Sequence, residues 1–435
     1  LGWDRHTAVL VGGAVTVLYA ASSGLSGVVL TDFVQFLIAM AGAVLAAVVA
    51  LRLPQVGGLS GLLAHPAVAS RLSLLPDFSD WNTAAAVLVV PLAVQWWSTW
   101  YPGAEPGGGG YVAQRMLAAP TERDAMRTTL LFNVLHYAVR PWPWIIVALA
   151  SLIIYPDLAS IAARFPHIDP AIVKNDLAYS AMLVYLPHGL FGLMIASLAA
   201  AYMSTISTHL NWGASYAVED CYRRFVAPDK DERHYVQVGR AVTVGLIVLA
   251  SIVSLWLQNS YQAFQILLQI GAGTGLIFLL RWFWWRINAW SEIAGMGISF
   301  LVAVYFQFVH TALGFAPLAP TVQLVIGIAI TTVGWFAVTF ATPPTDRPTL
   351  QAFYDRIRPM GPGWKGAVTT GPATPGESVT AAFLCWFLGC VIIYAALFGT
   401  GYVLYGKPLP AIACLVAAAA AAWGLFRTLP RVGFA

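Results

Sequence analysis

Apolar residues in this chain fall into long runs, without the alternation of a half-exposed strand or the narrow stripe of a surface helix. Eleven runs approach the roughly 20 residues an α-helix needs to cross a bilayer. They occupy 3–22, 28–52, 82–117, 126–155, 186–218, 236–257, 261–285, 291–310, 321–341, 379–403 and 408–427. Polar stretches at 54–80, 118–125, 156–185, 219–235 and 342–378 separate them. The pattern predicts an all-α, polytopic membrane helical bundle. The third, fourth and fifth runs exceed one span, which predicts tilt, a kink at Pro141 and Pro143, or extension beyond the bilayer. The stretch 342–378 is rich in Pro, Gly and Thr, and reads as an extra-membrane linker with little core and one short amphipathic helix near Leu350–Ile357.

The third run is the most irregular. It passes through Trp96, Trp97, Trp100 and Tyr101, is interrupted by Pro102, Gly103, Pro106 and Gly107 to Gly110, and resumes at Tyr111. A spanning helix broken in this way frees backbone N–H and C=O groups, which hydrocarbon tolerates only inside protein or a wet cavity. Transporters hold ions and substrates at such breaks. Gln95, Trp97, Trp100, Tyr101 and Glu105 are therefore candidate solute contacts, pairing flat apolar faces with a few polar groups. A helix end with interfacial aromatics followed by a Gly-rich loop fits the same residues.

Composition narrows the class further. Hydrophobic residues make up 59% of the chain and charged ones 10%, against roughly 25% charged in soluble domains. The net charge of +4 is too diffuse for a nucleic-acid partner; the bilayer is the expected one. Cys221, Cys385, Cys390 and Cys414 lack CxxC spacing and read as small hydrophobes, without a disulfide. The eight histidines form no HExxH pattern and no GxxxxGK[ST] loop is present, which argues against a metalloenzyme and an ATP-driven pump and calls for no cofactor. The chain begins at Leu1 with no signal-peptide pattern, and is expected to be truncated.

Basic residues set the orientation. With the first terminus outside, 15 of the 23 Lys and Arg residues face the cytoplasm, among them Arg115, Arg123, Arg127, Arg223, Arg281 and Arg347. The opposite side receives Arg5, Arg52, Arg71, Arg164, Lys174 and Lys407. Two fall inside runs. Arg240 lies one turn from the cytoplasmic interface and can snorkel to it. Arg140 lies deeper, with His136 one turn earlier, and needs a cavity or a partner. A clamp to Glu105 and direct contact with solute both satisfy it.

In the fifth run, Ala201, Ser204, Thr205, Thr208 and Asn211 recur at helical spacing as a small, hydroxyl-bearing stripe. Such a stripe serves close helix packing. It also serves a sodium site, since a hard cation takes neutral oxygens, here the Ala201 carbonyl with the Ser204 and Thr205 hydroxyls.

Four segments carry a specific resemblance: LYAASSGLSGVVLTDFVQ at 18–35, YVAQRMLAA at 111–119, LPHGLFGLMIASLAAAYMSTISTHLN at 186–211 and YQAFQILLQIGAGTG at 261–275. In order and spacing they resemble the sodium/solute symporter family, relatives of the sodium/glucose and sodium/proline symporters. The resemblance runs from the start of the chain to about residue 300. It implies a leucine-transporter-type inverted-repeat fold, present here in part, with alternating access to a midplane site. The first two runs would be the fourth and fifth core helices, the broken run the sixth, and 261–285 the tenth. The first three core helices and the family's extra amino-terminal helix would then lie outside this chain. Residues 1–310 would form the symporter core, and 311–435 additional helices with a cytoplasmic linker at 342–378.

Carried over residue by residue, the resemblance places sodium ligands on Ala201, Ser204 and Thr205, and the sodium exit path at Asp32 in the Thr31-Asp32 pair. Gln262, Gln265 and Gln269 match the polar face of the tenth core helix, with Gln265 and Gln269 as solute contacts. Two departures stand out. Where relatives carry Asn-Gln before the YVAQR-like motif, this chain has Glu105, Pro106 and four glycines, and their Gly-Gly in the early turn is Ser23-Gly24. The resemblance implies no enzyme but a sodium-coupled symporter, with sodium as coupling ion, importing a small polar solute as a monomeric transport unit in a bacterial inner membrane. Aromatic faces with glutamines suit a sugar or polyol; Arg140 would suit a carboxylate or sugar acid. A transporter-like membrane sensor is a further alternative.

Overall fold

Prolines and short polar caps set the helix ends in this computed structural model, which describes residues 5–20, 25–98, 112–113, 116–170, 173–257, 260–359, 361–369 and 378–432. The main helices are α1 (Arg5–Ala20), α2 (Leu25–Arg52), α3 (Glu122–Asn133), α4 (Pro141–Ile154), α5 (His188–Ser215), α6 (Glu232–Trp256) and α7 (Ser260–Ile270). After these come α8 (Gly275–Leu280), α9 (Ala289–Val304), α10 (Pro320–Ala341), α11 (Arg347–Ile357), α12 (Val379–Leu404) and α13 (Pro408–Thr428). Pro141, Pro320 and Pro408 each occupy a first helical turn, where a missing N–H costs nothing. Elsewhere a side chain takes an orphan N–H: Thr121 Oγ1 accepts from Asp124 at 3.1 Å, and Asp231 from His234 at 3.1 Å. Asn288 and Ser291 cap α9 reciprocally, at 2.9 and 3.2 Å.

Among the described residues there are no strands, only isolated bridges, and eight helical segments are long and apolar enough to cross a membrane. They are Phe33–Arg52, Glu122–Ile154, His188–Val226, Glu232–Trp256, Ala289–Val309, Pro320–Ala341, Val379–Leu404 and Pro408–Val432. The other three expected runs are present as shorter helices. The first is α1, apolar over His6–Thr16. The broken third run is helical through Ser98, and its expected discontinuity between Tyr101 and Tyr111 lies outside the described residues. The run 261–285 is the unexpected case: it is divided into α7 and α8 by a turn at Gly271–Thr274, where Gly273 takes φ +85. Only glycine adopts that backbone conformation at little cost.

Wide π-type turns interrupt several helices. Two lie in the third run, at Ala85–Val89 and Pro91–Gln95, and another at Val134–Val139 precedes Pro141. A proline cannot donate to the carbonyl one turn back, and the ladder widens around it.

The chain forms two compact units. One comprises 1–72 and 140–260. Its core is built on small residues of α2: Ala43, Ala46, Ala47 and Ala50 are buried at helical spacing, and Ala46, Ala47 and Ala50 share a cluster with Val147, Ala150 and Met194. Gly42 lets α5 approach, since a side chain there would meet Met194 and Ser197. The other unit comprises 73–139 and 261–435. In it α9 and α10 pack through Gly327 and Gly334 against Val302 and Ile298, and α12 and α13 through Gly399 and Gly424 against Cys414 and Leu388.

The stretch expected to be a linker with little core is instead docked. Its helix α11 buries Leu350, and Trp364 is buried while stacked on Phe353 at 5.5 Å and hydrogen-bonded to the Arg281 carbonyl at 3.2 Å. Gly361 and Gly363 donate to the carbonyls of Trp282 and Phe283, at 3.1 and 3.0 Å. A Cβ at either glycine would strike the Phe283 backbone, so the stretch lies against the chain just after α8.

Candidate functional site

The turn at Gly271–Thr274, between α7 and α8, lies in the second unit. Leu268 and Ala272 cluster with Leu324 and Ile328 of α10, and Val90, Val94 and Trp97 of the wide-turned third run pack against them. The approach is backbone on backbone: the Gly273 N–H donates to the Ser98 carbonyl at 3.2 Å, and a Cβ on Gly275 would strike Trp97 and Ser98 main-chain atoms. Ser98 is fully buried, and the Trp97 indole N–H donates to the Ala93 carbonyl at 2.7 Å.

Gln269 ends this apolar surface with an amide. It is 6% exposed, and its Nε2 donates to Gln323 Oε1 at 2.6 Å, while its Oε1 has no hydrogen-bond partner. Gln265, one turn earlier, and Gln95, at the end of the second wide turn, are half-buried. Trp100, Tyr101 and Glu105 lie outside the described residues. Of the expected solute contacts, Gln95, Trp97, Gln265 and Gln269 thus belong to one unit. Arg140 belongs to the other, where it is exposed with its guanidinium 5.4 Å from the Trp144 ring centre.

The expected sodium ligands all sit on α5 in the first unit. Ala201 and Thr205 are exposed and Ser204 is half-buried. The Thr205 hydroxyl donates to the Ala201 carbonyl at 3.0 Å, and His209 Nδ1 donates to the Thr205 carbonyl at 2.8 Å. The fully buried residues of α5 are Met194, Ser197, Ser207, Leu210 and Ala214, and Ala201, Ser204 and Thr205 continue the side of the helix that carries Met194 and Ser197. Asp32 is part of α2, and its side chain lies outside the described residues.

Sequence reasoning missed Gln323. The available signal was a lone amide in an otherwise apolar run, immediately after Pro320. A larger concavity of about 1450 Å³ in the second unit lies among Leu130, Tyr137, Cys390, Ile393 and Leu425, with Glu122 and Arg127 at one edge. Its largely apolar lining offers few groups to orient a polar solute. Among the described residues no group of three or more His, Cys, Asp and Glu could hold a metal ion.

Comparison with known proteins agrees with this architecture. The chain is 26% identical over 315 residues to the sodium/glucose cotransporter of Vibrio parahaemolyticus, covering 69% of this chain and 56% of that protein. It is 28% identical to sodium/myo-inositol cotransporter 2 of Oryctolagus cuniculus, covering 68% and 47%, and 24% identical to the osmoregulated proline transporter OpuE of Bacillus subtilis, covering 78% and 64%. The chain spans about half the length of the first curated relatives it matches. Its fold is shared with a Na+-coupled sialic acid symporter solved in a substrate-bound outward-open state, at a TM-score of 0.58 and 21% identity over 80% of this chain and 69% of that one. That likeness shows the leucine-transporter-like fold. These relatives are transporters, not enzymes, and the helices make this a multi-pass membrane protein. The model of the Sodium:solute symporter family matches residues 1–298, well over half of the sequence, and the chain belongs to that family.

Proposed function

We propose that this chain carries the sodium and solute sites of a symporter that imports a small, polar, neutral organic solute, a sugar or polyol, by alternating access. The observation that supports the solute site most is the buried Gln269 amide at the interruption between α7 and α8, with an acceptor oxygen still free. The aromatic and aliphatic side chains of Trp97, Val90 and Val94 beside it would supply the apolar face of a sugar site. Gln95, Trp97, Trp100, Tyr101, Glu105, Gln265 and Gln269 are its proposed contacts. Relatives named for glucose, myo-inositol and proline make this chemistry reasonable.

For sodium, the proposed ligands are the Ala201 carbonyl and the Ser204 and Thr205 hydroxyls, with Asp32 on the exit path. Ala201 O and Thr205 Oγ1 are 3.0 Å apart. Two oxygens at that separation can share a cation at roughly 2.4 Å from each, a distance usual for hard cations of this size. The core is proposed to be residues 1–310, acting as a monomeric unit in a bacterial inner membrane.

The test is uptake of radiolabelled D-glucose, myo-inositol, L-proline and a sugar acid by the intact protein in proteoliposomes. Accumulation of a neutral hydroxylated solute only under an inward sodium gradient is the expected result. Uptake indifferent to sodium, or of none of the four, would overturn the proposal.

A further inference from the structure

Gln323 lies in the first turn of α10, after Ala319 and Pro320, and beyond the family-matched residues 1–298. Its own amide is fixed. Nε2 donates to the Leu318 carbonyl at 2.8 Å, a group that can only accept. Leu318 is held in turn by Pro317 before it and by the extended Ala319–Pro320 pair after it. With Nε2 committed to Leu318, Gln323 must present Oε1 to its other neighbour, and Gln269 must answer with Nε2, at 2.6 Å. The second amide is thereby oriented as well. Its Oε1 is left as a buried acceptor without a proton, in a residue 6% exposed.

Resting on the reading of Gln269 as a solute contact, we propose that Gln323 is a positioning residue that fixes the Gln269 amide with its acceptor free, so that this point of the site takes a hydrogen-bond donor of the solute. The group it selects is a hydroxyl. A carboxylate oxygen brought to the same place would face another acceptor, so this end of the site rejects an anionic group. A buried acceptor left unpaired is destabilising, and an arriving hydroxyl removes that penalty. Without Gln323 the Gln269 amide can turn over and offer either end, and the preference for a donor is lost.

The test uses the intact protein in proteoliposomes, with D-glucose and myo-inositol as probes, each against its monofluoro-deoxy analogues, in which one hydroxyl can no longer donate. The wild type is expected to discriminate against one analogue by on the order of tenfold in KM, with kcat little changed. Gln269→Leu and Gln323→Leu should both erase that discrimination. Gln323→Glu should retain it as the neutral acid: the carboxyl C=O accepts from Gln269 Nε2 while the O–H donates to the Leu318 carbonyl in place of the amide. A packing role predicts the opposite order, with Leu better tolerated than a half-buried carboxyl group. Gln323→Glu worse than Gln323→Leu, or Gln323→Leu discriminating as the wild type does while Gln269→Leu does not, would overturn the positioning role alone. Gln269→Leu behaving as wild type, or no sodium-driven uptake of either probe, would overturn the solute reading and this inference with it.

Discussion

Gly275→Ala should destabilise the second unit strongly. An alanine Cβ there would overlap the Trp97 carbonyl oxygen, and would lie 2.9 Å from Ser98 main-chain atoms. Both neighbours are backbone, so no side chain can swing aside. Overpacking of this kind costs about 1–3 kcal/mol. Relieving it by separating α8 from the third run would also lengthen the 3.2 Å bond from Gly273 to the Ser98 carbonyl, worth about 1 kcal/mol. The expected loss is therefore about 2–4 kcal/mol. Gly297→Ala is the control, because nothing lies within 4 Å of its added methyl group. Mid-helix in α9, it should gain about 0.5–1 kcal/mol from propensity alone. Apparent melting temperatures in detergent, read by tryptophan fluorescence, should move in opposite directions for the two variants. Solute KM should rise for Gly275→Ala, since Gln269 is carried by the same break. A Gly275→Ala protein as stable as wild type, with unchanged uptake, would refute the close approach of the third run to α8.

Trp364→Ala should release α11 and the segment 361–369, because it removes a buried indole, its stack on Phe353 and its bond to Arg281, for about 3–5 kcal/mol; limited trypsinolysis at Arg356 and Lys365 should then be much faster, and equal rates would contradict the docking. The cap of α11 should titrate. The Thr349 backbone N–H and hydroxyl hold the Asp346 carboxyl below its ordinary value of 3.8, so its contribution to folding is present above that pH and is lost as pH falls through the lowered value. Hydrogen-exchange protection in the first turn of α11, corrected for the intrinsic pH dependence of exchange, should fall at acid pH in the wild type and much less in Asp346→Asn, which caps without titrating; identical acid profiles would contradict this.

The spans were legible because hydrocarbon imposes one rule on every residue that faces it, and long apolar runs satisfy it in only one way. The caps at Thr121, Asp231 and Asn288 are equally local, and sit where the polar stretches meet the runs. The break at Gly271–Thr274 was not read as an interruption, although GAGTG is present, because leucine and isoleucine on both sides keep the run apolar throughout. The left-handed turn at Gly273 and the close approach of Trp97 and Ser98 main-chain atoms to Gly275 explain why glycines stand there. Docking of 342–378 was hidden for a related reason: Gly361 and Gly363 read as linker residues, while their role is to let two backbones touch. In the proposed solute site, Gln269 was reached through the family resemblance, as one of Gln262, Gln265 and Gln269 on a polar helix face. Gln323 lies 54 residues further along, and no local period joins the two.

Sodium dependence tests the central claim most directly. Ser204→Ala with Thr205→Val removes both proposed hydroxyl ligands at nearly constant volume, and neither position is among the fully buried residues of α5. Two charge-assisted contacts are together worth roughly 3 kcal/mol or more, on the order of a hundredfold in sodium affinity. Solute uptake by the intact protein, measured against external sodium, should reach half-maximum at a far higher concentration in the double variant, with solute KM recovering at saturating sodium because the two sites are linked through binding free energy. A double variant with the wild-type sodium activation curve would contradict the account.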